Sequence, residues 1–225
     1  MKNPLHYQMT EYDCGPTSML NGISFLFERE QIPPEIIRET MLYCMDCHGA
    51  DGICGKKGTS CTAMMFLSNW YNNFAQQGQL PVECQYVRGE GVAIEDGSPV
   101  VLALRAGSAV VVRLWLDEPH YVLLTGLRDD GSVLMFDPYF VAEPFSDEVE
   151  FVHDHPFTYN RIVPAAFLNA EGEAPYALGE RSVREGIILT NTALADKKDI
   201  PRAETYSKVC VAMAAGSGRH TPVSR

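Results

Sequence analysis

At 225 residues the chain is long enough for one sizeable domain with its own core and does not require a second. Its 46% hydrophobic and 21% charged fractions exclude wholesale disorder or a fibrous repeat. A formal net charge of -11 with no offsetting Lys/Arg stripe excludes nucleic acid as a partner, while leaving a peptide or a small amide substrate open. The first eight residues, Met1 to Gln8, have no apolar core like that of a secretory signal, and no apolar run approaches a membrane span of about 18 residues. The chain therefore reads as cytoplasmic with no membrane span. Seven cysteines, an odd count, point in such a compartment to thiol chemistry or metal binding rather than to a disulfide framework.

In chain order, residues 14–27 carry Met19, Ile23, Leu26 and Phe27 at helical spacing, with Pro16 where a first turn tolerates it. A second helix is expected after Pro33-Pro34, from Glu35 to about Tyr43, and a third from Thr59-Ser60 to Phe74. Within the third, Trp70, Tyr71 and Phe74 read as core. The second half changes character: 99–104, 109–116, 120–127 and 132–136 are rich in Val and Leu, punctuated by turns, and predict strands. Asp129-Asp130-Gly131 is a hairpin signal that brings the start of one strand beside the end of the next. Residues 160–163 and 186–189 are expected as edge strands around a short helical turn at 165–168. From about Ala195 the pattern decays into the composition of a mobile tail. Helices first and an antiparallel sheet afterwards predict an α+β fold, with a domain over 1–195 and a C-terminal extension over 196–225.

A thiol attacks as its thiolate, and a helix start lowers thiol pKa through its dipole and unpaired N–H groups. Cys14 has that placement. A base that takes and returns a proton near neutrality is best a histidine, and His120 precedes the apolar run Tyr121-Val122-Leu123-Leu124, where a strand can aim the ring. A carboxylate holding the other ring nitrogen fixes the tautomer and stabilises the imidazolium; Asp137, ending its strand before Pro138, suits this. A side-chain amide beside a backbone N–H can receive the developing oxyanion, and Gln8, six positions before Cys14, is the candidate.

Gln8-x5-Cys14-Gly15-Pro16-Thr17-Ser18, followed by His120-Tyr121-Val122-Leu123-Leu124-Thr125-Gly126 and Asp137-Pro138, resembles the bacteriocin-processing, double-glycine-leader cysteine peptidases of the papain-like superfamily. The resemblance spans roughly residues 5–140. It implies a papain-like fold with N-terminal helices on an antiparallel sheet, and thiol acyl transfer with Cys14 as nucleophile, His120 as base and then acid, Asp137 as orienter and Gln8 at the oxyanion hole. It also implies that catalysis requires no cofactor, and a glycine-containing cleavage site as the first substrate to consider. Members of the family are often fused to a transporter, and the Cys14 to His120 separation here is longer than their pattern, the surplus lying in a Cys-rich insertion near 44–61.

Within that insertion Cys44, Cys47, Cys54 and Cys61, with His48 and several glycines, read either as a structural zinc site or as unrelated thiols. Gly58-Thr59-Ser60 reads as a helix cap or as a wall of the substrate groove. His153 and His155 read as surface residues. The same residues fit three functions: a peptide or amide hydrolase, an acyltransferase using the same nucleophile, and a catalytically idle binding module.

Overall fold

Helix α1, Cys14–Leu26, opens the fold. Met19 and Ile23 along it, and Phe27 at its C-cap, are excluded from solvent, each burial contributing roughly 1.5–3 kcal/mol. Helix α2, Pro34–Tyr43, begins with proline at its first position, and α3, Cys61–Gln76, begins at Ser60, whose hydroxyl accepts from the Ala63 amide at 3.1 Å. The cap reading of that serine is the observed one. The structure, a computed structural model, describes residues 1–194, so the expected extension over 196–225 lies outside the described residues.

The remaining elements are β1 (Val82–Arg88), α4 (Pro99–Arg105), β2 (Ala109–Leu116), β3 (Glu118–Leu127), β4 (Val133–Phe136), β5 (Glu150–Phe151), β6 (Arg161–Val163), α5 (Ala165–Asn169) and β7 (Glu185–Asn191). The strands form one antiparallel sheet in the order β1-β7-β2-β3-β4-β6-β5. The α+β expectation holds at that level, and no helix among the described residues is long and apolar enough to cross a membrane.

Side chains alternate across the sheet as the two-residue strand period requires. Ala109, Val111, Tyr121, Leu123, Ile187 and Leu189 face a core shared with α1, α2 and α3. Val110, Val112, Leu114, Val122, Leu124 and Ile188 face a second core that contains Val100, Val101 and Leu104 of α4. Helices thus cover both faces of the sheet. At Gly22 the first helix comes so close that a Cβ there would stand 2.5 Å from Leu189 Cδ1.

Three local expectations are corrected. Residues 99–104 form a helix, not a strand: Ser98 Oγ caps the Val101 amide at 3.1 Å and Pro99 takes the first helical position, where its fixed φ is already helical. Residues 185–191 form an internal strand paired on both sides, with β1 and β2, not an edge strand. That interior place is why all seven of its residues are buried. Its partner β1 and the two-residue β5 were not anticipated; β5, rather than β6, ends the sheet.

Candidate active site

Cys14 occupies the first position of α1 and is 7% exposed. As the first helical residue its N–H has no intrahelical acceptor, and Pro16 contributes none, so the helix tip keeps donors and the positive dipole end for an anion. The approach to the tip is built by Asp13. Its carboxylate accepts from the Met9 amide at 3.0 Å and from the Thr10 amide and hydroxyl at 2.7 and 2.6 Å, closing 9–13 into a tight turn. Burial opposes ionisation of Asp13, but these donors outweigh it and hold its pKa below the usual carboxylate value. Farther back, Asn21 grips the His6 backbone through both amide atoms, at 3.0 and 2.9 Å, fixing the segment that carries Gln8.

The β3–β4 hairpin brings His120 and Asp137 together. Leu123 pairs with Phe136, and His120 Nε2 lies 2.8 Å from Asp137 Oδ1, with His120 6% exposed and Asp137 fully buried. Since Nε2 is engaged by the carboxylate, Nδ1 is the ring nitrogen left for the thiol. Burial alone would pull the His120 pKa down; the hydrogen bond and charge of Asp137, with Cys14 beside the ring, overcome it and raise the value to about 10. Burial likewise works against ionised Asp137, yet hydrogen bonds from His120, Tyr176 and the Tyr139 amide hold it below the usual value. One further strut sets the helix against the strand: Ser18, one turn after Cys14, donates to the carbonyl of Tyr121 at 3.0 Å, next to His120.

The structure therefore brings Cys14, His120 and Asp137 together. Gln8 joins them through its backbone, its N–H donating to Pro138 O at 2.9 Å beside Asp137. Its side-chain Nε2 donates to Thr10 O at 2.7 Å, leaving one amide hydrogen free, and its Oε1 is buried with no hydrogen-bond partner among the described residues.

The four insertion thiols are not gathered. Cys44 is buried near Cys14, and burial, with Asp46 nearby, pushes its pKa up to about 12, while Cys54 is exposed. Among the described residues no three His, Cys, Asp or Glu side chains are grouped as a metal site requires. Asp46 instead ties the insertion to α3, accepting from the Ser60 amide and hydroxyl at 2.8 and 2.6 Å. Thr59 accepts from the Met45 amide at 3.1 Å and lies against Gly15, where a Cβ would meet its Oγ1 at 2.6 Å. His153 and His155 are exposed, as expected.

Three site residues escaped the sequence reading. Asn160 locks the Asp137 backbone, accepting from its N–H and donating to its carbonyl, both at 2.8 Å. Tyr176 donates its hydroxyl to Asp137 Oδ2 at 2.7 Å. Asp13 had a local signal, an acidic residue directly before a helix start, whereas Asn160 and Tyr176 had none, because their partner is 23 and 39 positions away. Compared with known proteins, the chain matches no family model, and no curated protein matches it.

Proposed function

We propose that the chain is a cysteine hydrolase of papain-like fold that cleaves a peptide or amide bond, acting in a reducing, cytoplasmic compartment. The observation that carries this reading is the buried His120–Asp137 pair at 2.8 Å with the Cys14 thiol beside it at a helix start. A raised histidine pKa favours the imidazolium, and an imidazolium together with a helix start are the two features a thiol nucleophile draws on. The six unpaired cysteines among the described residues suit a compartment that keeps thiols reduced.

In this scheme Cys14 Sγ attacks the carbonyl carbon, and the oxygen that gains charge is received by the Cys14 N–H and the free amide hydrogen of Gln8. The tetrahedral species collapses as His120 gives its proton to the leaving amine, forming a thioester. Water then attacks the thioester, its proton passing to His120, and the carboxylic acid leaves as the Cys14 thiolate and the imidazolium are restored. Asp137 holds the ring throughout and remains ionised.

A peptide library that includes glycine-containing cleavage sites tests the proposal directly. Turnover that disappears in Cys14→Ala supports it. Absence of turnover, together with a Cys14 that alkylates no faster than an ordinary thiol at pH 6, would leave a binding module as the better description. Product analysis in the presence of added amines separates hydrolysis from acyl transfer.

A further inference from the structure

We propose that Tyr176 is a positioning residue for this site, its hydroxyl fixing Asp137 Oδ2 so that Oδ1 is presented to His120 Nε2, with the buried Arg161 guanidinium behind it. The inference rests on the nucleophile reading above and extends it to a part of the chain that the triad does not use.

The geometry is that of a two-sided clamp on one carboxylate. Oδ1 meets His120 Nε2 at 2.8 Å and the Tyr139 amide at 2.8 Å; Oδ2 meets the Tyr176 hydroxyl at 2.7 Å. Asp137 has no exposed surface, so no solvent replaces a lost partner. A rotation about its Cβ–Cγ bond would break both sides together. Without the hydroxyl, no other hydrogen bond to Oδ2 among the described residues opposes that rotation.

Tyr176 is held in place at a cost. Its φ of 66° lies in the left-handed region, where a residue with a bulky side chain is uncommon. The surroundings enforce it: the Tyr176 amide donates to Trp115 O at 2.6 Å, the Trp115 amide donates to Ala177 O at 2.9 Å, and Phe145 stands edge-on to the ring at 4.8 Å. Glycine would adopt this backbone freely. A tyrosine here, 1% exposed with its hydroxyl on the orienting carboxylate, is strain located where it serves the site.

Arg161 supplies the second, independent observation. It is 1% exposed, its Nη1 donates to Asn160 O at 2.9 Å, and its guanidinium carbon sits 3.5 Å from the Phe151 ring centroid. Its Nε and Nη2 are buried without hydrogen-bond partners, and among the described residues no carboxylate forms an ion pair with it. A buried cation needs a compensating negative charge. On β6 it lies opposite Met135, two residues before Asp137, and it is close enough to Tyr176 to act on the phenol's pKa. The groups facing the His120–Asp137 pair are thus Cys14 from α1, Tyr176 with Arg161 behind it, and Tyr139, whose own hydroxyl is acted on by Glu11 and Asp117.

Tyr176→Phe keeps the ring and its contact with Phe145 while deleting the hydroxyl. The His120 ring is titrated by NMR in a Cys14→Ser background, with and without Tyr176→Phe, so that the readout does not depend on turnover. If the hydroxyl positions the carboxylate, its removal lets Asp137 turn and weakens the contact with His120, so the His120 pKa falls by about 1–2 pH units; a hydroxyl that only draws charge from Asp137 would on removal raise that pKa, and a rise overturns the inference. In the Cys14 enzyme the same substitution raises the acid limb of kcat/KM, lowers kcat about tenfold or more at pH 6, and leaves KM nearly unchanged. Arg161→Met removes a cation and so shifts the limb the opposite way, and Arg161→Lys, which keeps the charge, shifts it less. Phe145→Leu controls for packing: it lowers Tm without moving the limb. An unchanged His120 pKa in a folded Tyr176→Phe protein overturns the inference even if the enzyme is active. A fall in that pKa in a protein that turns over no peptide keeps the inference about Asp137 and ends the hydrolase reading alone.

Discussion

Asp137→Asn is the substitution whose consequence the structure defines most sharply. The backbone of residue 137 is held by Asn160 through its N–H and carbonyl, so the amide variant keeps its place in the chain. What it loses is the charge facing His120. The rise of the His120 pKa from 6.5 to about 10 corresponds to about 5 kcal/mol in favour of the imidazolium, shared between Asp137 and the Cys14 side chain. Burial of the ring is untouched by the substitution and works the other way, so without Asp137 the pKa falls toward or below its ordinary value. If about 3 kcal/mol of the preference is lost, the ratio of imidazolium to imidazole at a given pH drops on the order of 10²-fold. Iodoacetamide alkylation of Cys14 across pH 5–10, read by peptide mass spectrometry, follows the thiolate beside that ring. An alkylation profile and kcat/KM within about twofold of wild type would refute the argument that Asp137 sets the ionisation of this pair.

Stability follows the same linkage. His120, raised in the folded state, contributes fully below its unfolded value of 6.5 and loses that contribution as pH rises through about 10. Asp137, held low, contributes above its unfolded value of 3.8 and loses the contribution as pH falls through its folded value. The stability difference between wild type and Asp137→Asn is therefore widest between 3.8 and 6.5 and shrinks toward pH 10, which denaturant melts at four pH values measure.

Gln8→Ala is expected to lower kcat on peptides by about 10²-fold while leaving Cys14 alkylation unchanged, because alkylation generates no oxyanion; equal losses in both would place Gln8 in the support of the thiol instead. Ser18→Ala removes the hydrogen bond between α1 and the Tyr121 carbonyl, and should cost about 0.5–1.5 kcal/mol in a denaturant melt, with a larger proportional fall in kcat than in KM. Cys44 and Cys84, both buried with raised pKa values, should resist alkylation at pH 8 while exposed Cys54 reacts, and prompt labelling of Cys44 in the native state would contradict the packing of the insertion. A zinc assay separates the two readings of the insertion: stoichiometric metal lost on chelation together with a fall in Tm identifies a structural site, and a protein without metal leaves Cys44, Cys47, Cys54 and Cys61 as unrelated thiols.

What the sequence determined by itself was local. Pro16 near the start of an apolar stripe placed Cys14 at a helix tip, and Asp129-Asp130-Gly131 between two apolar runs set the hairpin that joins His120 to Asp137. Both signals act over a few residues, where backbone sterics and turn geometry dominate. The helix at Pro99–Arg105 was misread although Ser98-Pro99 is a helix start, because a short apolar run buried on one face has no distinctive period. Only the tertiary structure decided that β7 inserts between β1 and β2, that Asn160 locks the backbone of residue 137, and that Tyr176 reaches Asp137. Those pairings join residues far apart in the chain, and they are selected by the burial of two opposite sheet faces and by the need to satisfy a buried carboxylate. Neither condition exists until the whole sheet has closed over the site.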